Sequence, residues 1–203
     1  MSQIKLLFLL FLLINDPIPT VPMSVGKGEI GTVEDETCFG CGDCSIYCVI
    51  EGEYSLQSSS HLKAQANNQY EVKQLDDYNL QTAWIEGHSD YGINEWVEFK
   101  FDKMDFSATK LAVNGLYLFN GYRKSLKHWE ENSRIKKLKM IVNGQDYAIL
   151  ELADAYQIQT GNFKEIKLNK DTIIRFEIME TYPGTMYKDV ALSELRFKGI
   201  HHH

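Results

Sequence analysis

The sequence has no surplus of positive charge. Its 28 acids outnumber its 21 lysines and arginines and leave a net charge of −7. A nucleic-acid surface needs clustered Lys and Arg to release counterions, so none is expected here. Docking on an anionic membrane is disfavoured for the same reason. No apolar run reaches the roughly 18 residues of a spanning helix, so the chain is not expected to cross a bilayer. G-x-S-x-G, P-loop, G-x-G-x-x-G and H-E-x-x-H are all missing, and with them the local signatures of esterases, nucleotide binders and zinc peptidases. His61, His88 and His128 are isolated and have no ligand spacing.

Cysteine is confined to one place. Cys38, Cys41, Cys44 and Cys48 follow the spacing C-x2-C-x2-C-x3-C, which bacterial ferredoxins use for iron–sulfur clusters. In two-cluster ferredoxins the fourth cysteine ligates the other cluster, and the second run that this requires is missing here; Val49 stands where the usual proline would follow. A zinc site would place its two cysteine pairs further apart. The N-terminus decides between these readings. Lys5 precedes the nine-residue apolar run Leu6–Ile14, which Asn15, Asp16 and Pro17 end. That pattern is a signal peptide, taken as residues 1–22, with no clean cleavage motif. Export, to the exterior or a periplasm, places the thiols in an oxidising compartment where they pair. Cys38, Cys41, Cys44 and Cys48 are therefore expected to form two disulfides within a segment 37–52, in any of three pairings, with no iron–sulfur cluster. Residues 23–36, rich in Gly, Val and acids, read as a linker.

From residue 53 to 199 the pattern has period two. Val97, Phe99 and Phe101 share one face, as do Leu138, Met140 and Val142, and Ile174, Phe176 and Ile178. Alternation of this kind marks half-buried strands. Asn143-Gly144 between two such runs is the signature of a type I′ hairpin, because both residues tolerate positive φ. No sustained 3.6-residue period competes. The expected fold is all-β: an antiparallel sandwich or jelly roll with an N-terminal Cys-rich segment, ending in a tail at 200–203.

Several stretches in order resemble one family. They are Ser58-Ser59-Ser60-His61-Leu62, Leu80-Gln81-Thr82-Ala83-Trp84-Ile85-Glu86-Gly87 and Gly92-Ile93-Asn94-Glu95-Trp96-Val97-Glu98-Phe99. Asn120-Gly121-Tyr122-Arg123-Lys124-Ser125, Glu131 to Leu138 and Tyr182 to Leu195 continue the series. Together they are similar to the NADase-type glycan-binding domain, a discoidin-like member of the galactose-binding jelly-roll superfamily. The resemblance implies a sandwich with ligand loops at one end, and binding rather than catalysis. In the toxin that gives the family its name, the domain is attached to a separate NAD-hydrolysing domain, for which no part of this sequence is left over. The expected partner is a glycan or glycoprotein; a protein-interaction or structural module of the same fold is the alternative. The oligomeric state is open.

Two constellations carry the chemistry. Related discoidin-like domains place calcium in the turn matching Leu75 to Trp84, closed by a Glu from the last strand. Asp77, Asn79, Thr82 and Glu194 would supply the oxygens that calcium requires, and the ion would brace the loop. The competing account is an Asx-turn at Asp77 and Asn79. For the glycan, Asn120, Tyr122, Arg123, Lys124, Trp129 and Asn132 offer ring faces and planar polar groups suited to sugar hydroxyls, with Tyr182 and Tyr187 joining from a later loop. Trp84 and Trp96 are assigned to the core. Glu86, Asp90, Glu95 and Glu98 are read as a solvated edge.

Overall fold

The computed structural model describes residues 17–26, 54–103 and 110–202. The apolar run Leu6–Ile14, most of the linker and the four cysteines lie outside these residues. Within them, eleven strands form two sheets. The first sheet holds β1 (Thr20–Pro22), β8 (Gln145–Glu151), β7 (Arg134–Val142), β10 (Ile173–Tyr182), β5 (Trp96–Lys100) and β3 (Ser55–Ser58), in that order. The second holds β2 (Ser24–Val25), β9 (Gln159–Lys167), β6 (Lys110–Asn120), β11 (Ala191–His202) and β4 (Trp84–Ile85). Only the short β1–β8 pairing is parallel. One α-helix, α1 (Leu126–Glu131), follows β6. The chain is an antiparallel β-sandwich.

The alternation read from the sequence is what fills the space between the sheets. Val97, Phe99, Phe101, Leu138, Met140, Ile174, Phe176 and Ile178 are all buried. Phe99 stands at the centre, edge-on to Tyr54, Phe176 and Phe197 at centroid distances of 5.2, 6.1 and 5.0 Å. T-shaped pairs of this kind add to the gain from burial alone. The other face of the first sheet is charged. Arg175, opposite Glu98 in register, donates from Nε to its Oε2 at 2.8 Å. Lys139 pairs with Glu177 at 2.7 Å, and Lys136 and Lys137 both pair with Glu180 at 2.8 Å. The β7–β8 hairpin turns at Asn143 (φ 50°) and Gly144 (φ 77°), the two positive values of a type I′ turn.

Three expectations change. Thr20–Val25, read as the end of a leader and the start of a linker, forms two strands. β1 lies against β8 and β2 against β9, so the segment closes one edge of each sheet. Met23, between them, is buried in the core. The runs are too short for a period to show, and their hydrogen-bond partners lie about 130 residues away. At the other end, β11 continues through Ile200, His201 and His202, opposite Ala112, Leu111 and Lys110, so these residues are strand and not tail. Trp96 is only half-buried. It lies on the outer face, with the Arg175 guanidinium 4.0 Å from the ring, whereas Trp84 is in the core as expected.

Candidate functional site

A pocket of about 240 Å³ opens where the loop between β3 and the 3₁₀ turn Val72–Asp76, the end of β4, helix α1 and the segment before β11 meet. Its lower wall is a small apolar cluster of Tyr70, Ala83, Ile85, Tyr122 and Ala191, separate from the main core, with Leu62 packed against it. Tyr70 and Tyr122 meet edge-to-face at 6.2 Å, and Tyr122 meets His128 at 5.3 Å. Both tyrosines are about 95% buried. Among the described residues neither hydroxyl has a hydrogen-bond partner, and both open onto the pocket. Burial and the neighbouring Tyr70 push the Tyr122 phenol up to about 12, so it stays a proton donor.

The rim is polar. Gln65, Asn68 and Asn132 supply planar amides, Glu131 and Asp189 supply carboxyls, and Tyr187 is 45% exposed. Helix α1 sets the rim on one side. Ser125 caps it, accepting from His128 N, and its Oγ also lies 2.7 Å from His128 Nδ1. Asn132 closes the other end through Nδ2 to His128 O at 2.8 Å. Asp189 is held from behind. Glu86, wholly buried, accepts from Val190 N at 3.2 Å and His88 N at 2.7 Å. Burial, opposed by those two hydrogen bonds, raises the Glu86 carboxyl to about 7, with Asp189 and Asp90 adding to the rise. Asp189 is raised by burial as well. Glu86 is thus no solvated edge residue; the chain crossing from β4 past Val190 covers it.

Of the residues expected to bind ligand, Tyr122, Asn132 and Tyr187 line the pocket. Lys124 stands behind the rim and donates to Asn68 Oδ1 at 2.8 Å. The others are framework. Asn120 is fully buried, and its amide is used at both ends: Nδ2 donates to Ile135 O at 2.7 Å and Oδ1 accepts from Ile135 N at 2.9 Å. Arg123 is buried, with its guanidinium 3.9 Å from the Tyr156 ring and 4.8 Å from Phe119. Trp129 donates to Asn120 O at 2.9 Å and lies under Arg134, which is itself bidentate to Asp154. Gly121 (φ 80°) has no room for a Cβ, which would fall 2.6 Å from Trp129. Tyr182 donates to Leu152 O, away from the pocket. The same residue types that recognise sugars also tie loops together, and here most of the 120–134 stretch does the latter.

The residues expected for calcium do come together. Asp77 Oδ1 accepts from Asn79 N at 3.0 Å, and its Oδ2 from Thr82 Oγ1 at 2.8 Å. Thr82 Oγ1 also reaches Asn79 O at 2.7 Å. Glu194, brought in by β11, accepts from Asn79 N at 3.0 Å on one oxygen and from Arg196 Nε at 2.9 Å on the other. Tyr78, at φ 58°, spends backbone strain, and its ring lies 3.2 Å from the Arg196 guanidinium. Burial raises Glu194 to about 8 against the pull of Arg196, and Asp77 adds to the rise. Two carboxylates, a hydroxyl and a carbonyl converge, which is a hard-cation donor set. A calcium ion fits these donors by charge and type, with Arg196 as the group it would compete against.

A family model described as NAD glycohydrolase translocation F5/8 type C domain matches residues 46–198. The chain belongs to that family. Members share the discoidin-like sandwich, and solved structures show the same fold for this family domain. A CBM32 module of Clostridium perfringens, CpGH89CBM32-5, solved in complex with GalNAc-β-1,3-galactose, aligns at 15% identity and TM-score 0.53 over 73% of this chain and 97% of that one. The CBM32-1 and CBM32-2 domains of Clostridium perfringens ZmpB align at 11% identity and TM-score 0.60, over 91% of this chain and 42% of that one. The C-terminal domain of a Bacteroides fragilis chitobiase aligns at 13% identity and TM-score 0.53, over 76% and 98%. Among curated proteins none matches. The fold of this family domain is therefore that of carbohydrate-binding modules.

The pocket residues that sequence reasoning missed are Tyr70, Asn68, Gln65, His128, Glu131 and Asp189. Glu131 and Asp189 lie in stretches that carry the family resemblance but carry no mark of ligand binding there, and the others lie in none. The loop before the 3₁₀ turn carries polar residues without a period, and Asp189 reads as one more turn acid. Only Tyr70, an aromatic isolated within a polar loop, gave a local sign.

Proposed function

We propose that the domain is an exported, non-enzymatic carbohydrate-binding module whose ligand sits in the Tyr70–Tyr122 pocket. The observation that carries this reading is the pair of tyrosine hydroxyls that open onto the pocket without protein partners among the described residues, ringed by amides and carboxyls. A sugar offers what the pocket lacks: a ring face for Tyr187 and hydroxyls for the polar rim. The relatives of the same fold include one solved with a GalNAc-containing disaccharide. Calcium bound by Asp77, Asn79, Thr82 and Glu194 would brace the loop leading into β4, which borders the pocket at Ile85. Export by the N-terminal leader and pairing of the four cysteines complete the reading. The Pro19 and Met23 main chains hydrogen-bond to Ile149 and Glu151, which favours a cut before Pro19 over one after Pro22. Among the described residues no helix is long and apolar enough to cross a membrane.

The test is glycan-array binding of the full chain with calcium present, followed by calorimetry on the hits. Binding of a sugar class that Tyr122→Phe and Tyr187→Ala both weaken, with unchanged melting, supports the proposal. Failure to bind any glycan favours a protein-interaction module, a reading supported by the translocation role in the family's description. Intact mass and free-thiol counting of exported protein check the leader and the disulfides; four reactive thiols would sink the pairing.

A further inference from the structure

The charge of the pocket constrains what it can hold. Its ionisable lining consists of two carboxylic acids, Glu131 and Asp189, the two tyrosines already described with Tyr187, and His128. Among the described residues no lysine or arginine lines it. The lysines beside it are already held, two of them by rim residues. Lys124 donates to Asn68. Lys127 lies 3.7 Å from Glu131 on a side chain 78% exposed to solvent, and Lys188 lies over Tyr91 at 5.6 Å. Asp189 is half-buried and its carboxylate meets no protein donor among the described residues. An ionised carboxylate only accepts hydrogen bonds, so Glu131 and Asp189 call for hydroxyl or ammonium protons. A third negative charge brought between them would be repelled at short range in a partly water-excluded space. The side chains of Tyr70 and Tyr122, each residue about 95% buried, bring to the pocket hydroxyls with no partner among the described residues, which marks this as a place prepared for a ligand and not a chance meeting of acids.

We infer that the pocket accepts uncharged or amine-bearing sugar residues and excludes acidic ones. The inference rests on the glycan-binding reading above and assigns the ligand class within it. A neutral sugar gives hydroxyl protons to Asp189 and Glu131 and accepts from the tyrosine hydroxyls. A free amine replaces one of those hydroxyl bonds by a charge-assisted one, the stronger kind. A uronate, sialate or sulfate finds no free cation in the described lining, because the Lys124 and Lys127 ammonium groups beside it are held by Asn68 and Glu131.

Calorimetry with the full chain, in low salt at pH 7 with calcium, uses the methyl glycosides of galactosamine, N-acetylgalactosamine and galacturonic acid and their gluco counterparts. The amine and neutral sugars are expected to bind, and the uronates about tenfold or more weaker, since like charges across an interface are strongly disfavoured. Added salt should narrow the gap between amine and neutral sugar. Asp189→Asn should narrow the gap between neutral sugar and uronate, and Tyr122→Phe should weaken all ligands alike. Uronate binding within about twofold of the neutral sugar would overturn the charge selection. So would a gap left unchanged by the Asp189→Asn, Glu131→Gln double variant when its melting temperature is that of the parent. If neutral and acidic sugars bind alike, only this inference falls. If no sugar binds, the glycan reading falls with it.

Discussion

The loop Asp77–Thr82 and the Tyr70–Tyr122 pocket flank the same short strand, β4, and they treat polar groups in opposite ways. In the loop both Asp77 oxygens, the Asn79 amide and carbonyl, the Thr82 hydroxyl and Glu194 are committed to one another. In the pocket two tyrosine hydroxyls and the Asp189 carboxylate are left to whatever enters. Saturation gives a loop one conformation; polar groups that open onto a pocket remain available to whatever enters it. In the proposed reading the first region is a brace and the second is a receptor. The difference can be broken by substitutions that touch one region and spare the other.

The largest effect is expected where the framework beside the pocket is cut. Asn120→Ala orphans the Ile135 N–H and C=O and should cost about 3 kcal/mol. The measurement is chemical denaturation, and ligand affinity of the remaining folded protein should be nearly unchanged. A variant that lost binding without losing stability would return Asn120 to the ligand site. Next comes Glu194→Gln. Parent protein at calcium near 100 times Kd should gain about 2.7 kcal/mol over its EDTA-treated form, and the variant should gain far less, as read by melting with and without the ion.

Titration separates the regions further. Glu194, raised to about 8, and Glu86, raised to about 7 from an ordinary 4.5, keep their protons in the folded state after the unfolded chain has lost them. Without calcium, stability should therefore fall as pH rises from about 4.5 toward 8. Calcium displaces the Glu194 proton, so its affinity should rise over the same window. Glu86→Gln should remove the lower part of the slope and leave the calcium effect intact; denaturation midpoints across pH read both. The smallest effect is on stability at Tyr187→Ala, an exposed side chain. Melting should stay within about 0.5 kcal/mol of the parent while glycan binding weakens, and unchanged binding would remove Tyr187 from the receptor.

Legibility followed the range of the interactions. The alternation around Phe99, Leu138 and Phe176 was plain because a strand's two faces repeat every second residue whatever its partners. The Asn143-Gly144 turn was plain because its φ values are a local demand. Asp77, Asn79 and Thr82 lie within six positions, and their turn chemistry acts at that distance; Glu194 was reached through the resemblance to discoidin-like domains. The ligand loop was harder. Tyr122 lies beside Asn120 and Arg123 in sequence, yet only Tyr122 faces the pocket, because the Ile135 backbone captures Asn120 and the Tyr156 and Phe119 rings enclose Arg123.

The sequence by itself determined an all-β sandwich, its core faces, its main hairpin and the turn chemistry of the Asp77–Thr82 loop, since each depends on periodicity, local dihedral preference or an ordered set of motifs. Tertiary structure alone decided that Thr20–Val25 seals both sheets, that Glu86 is buried, and that Tyr70, Tyr122, His128 and Asp189 share one pocket. Those outcomes depend on which chain segments cross at a point, and residues as far apart as Tyr70 and Asp189 carry no local mark of their meeting.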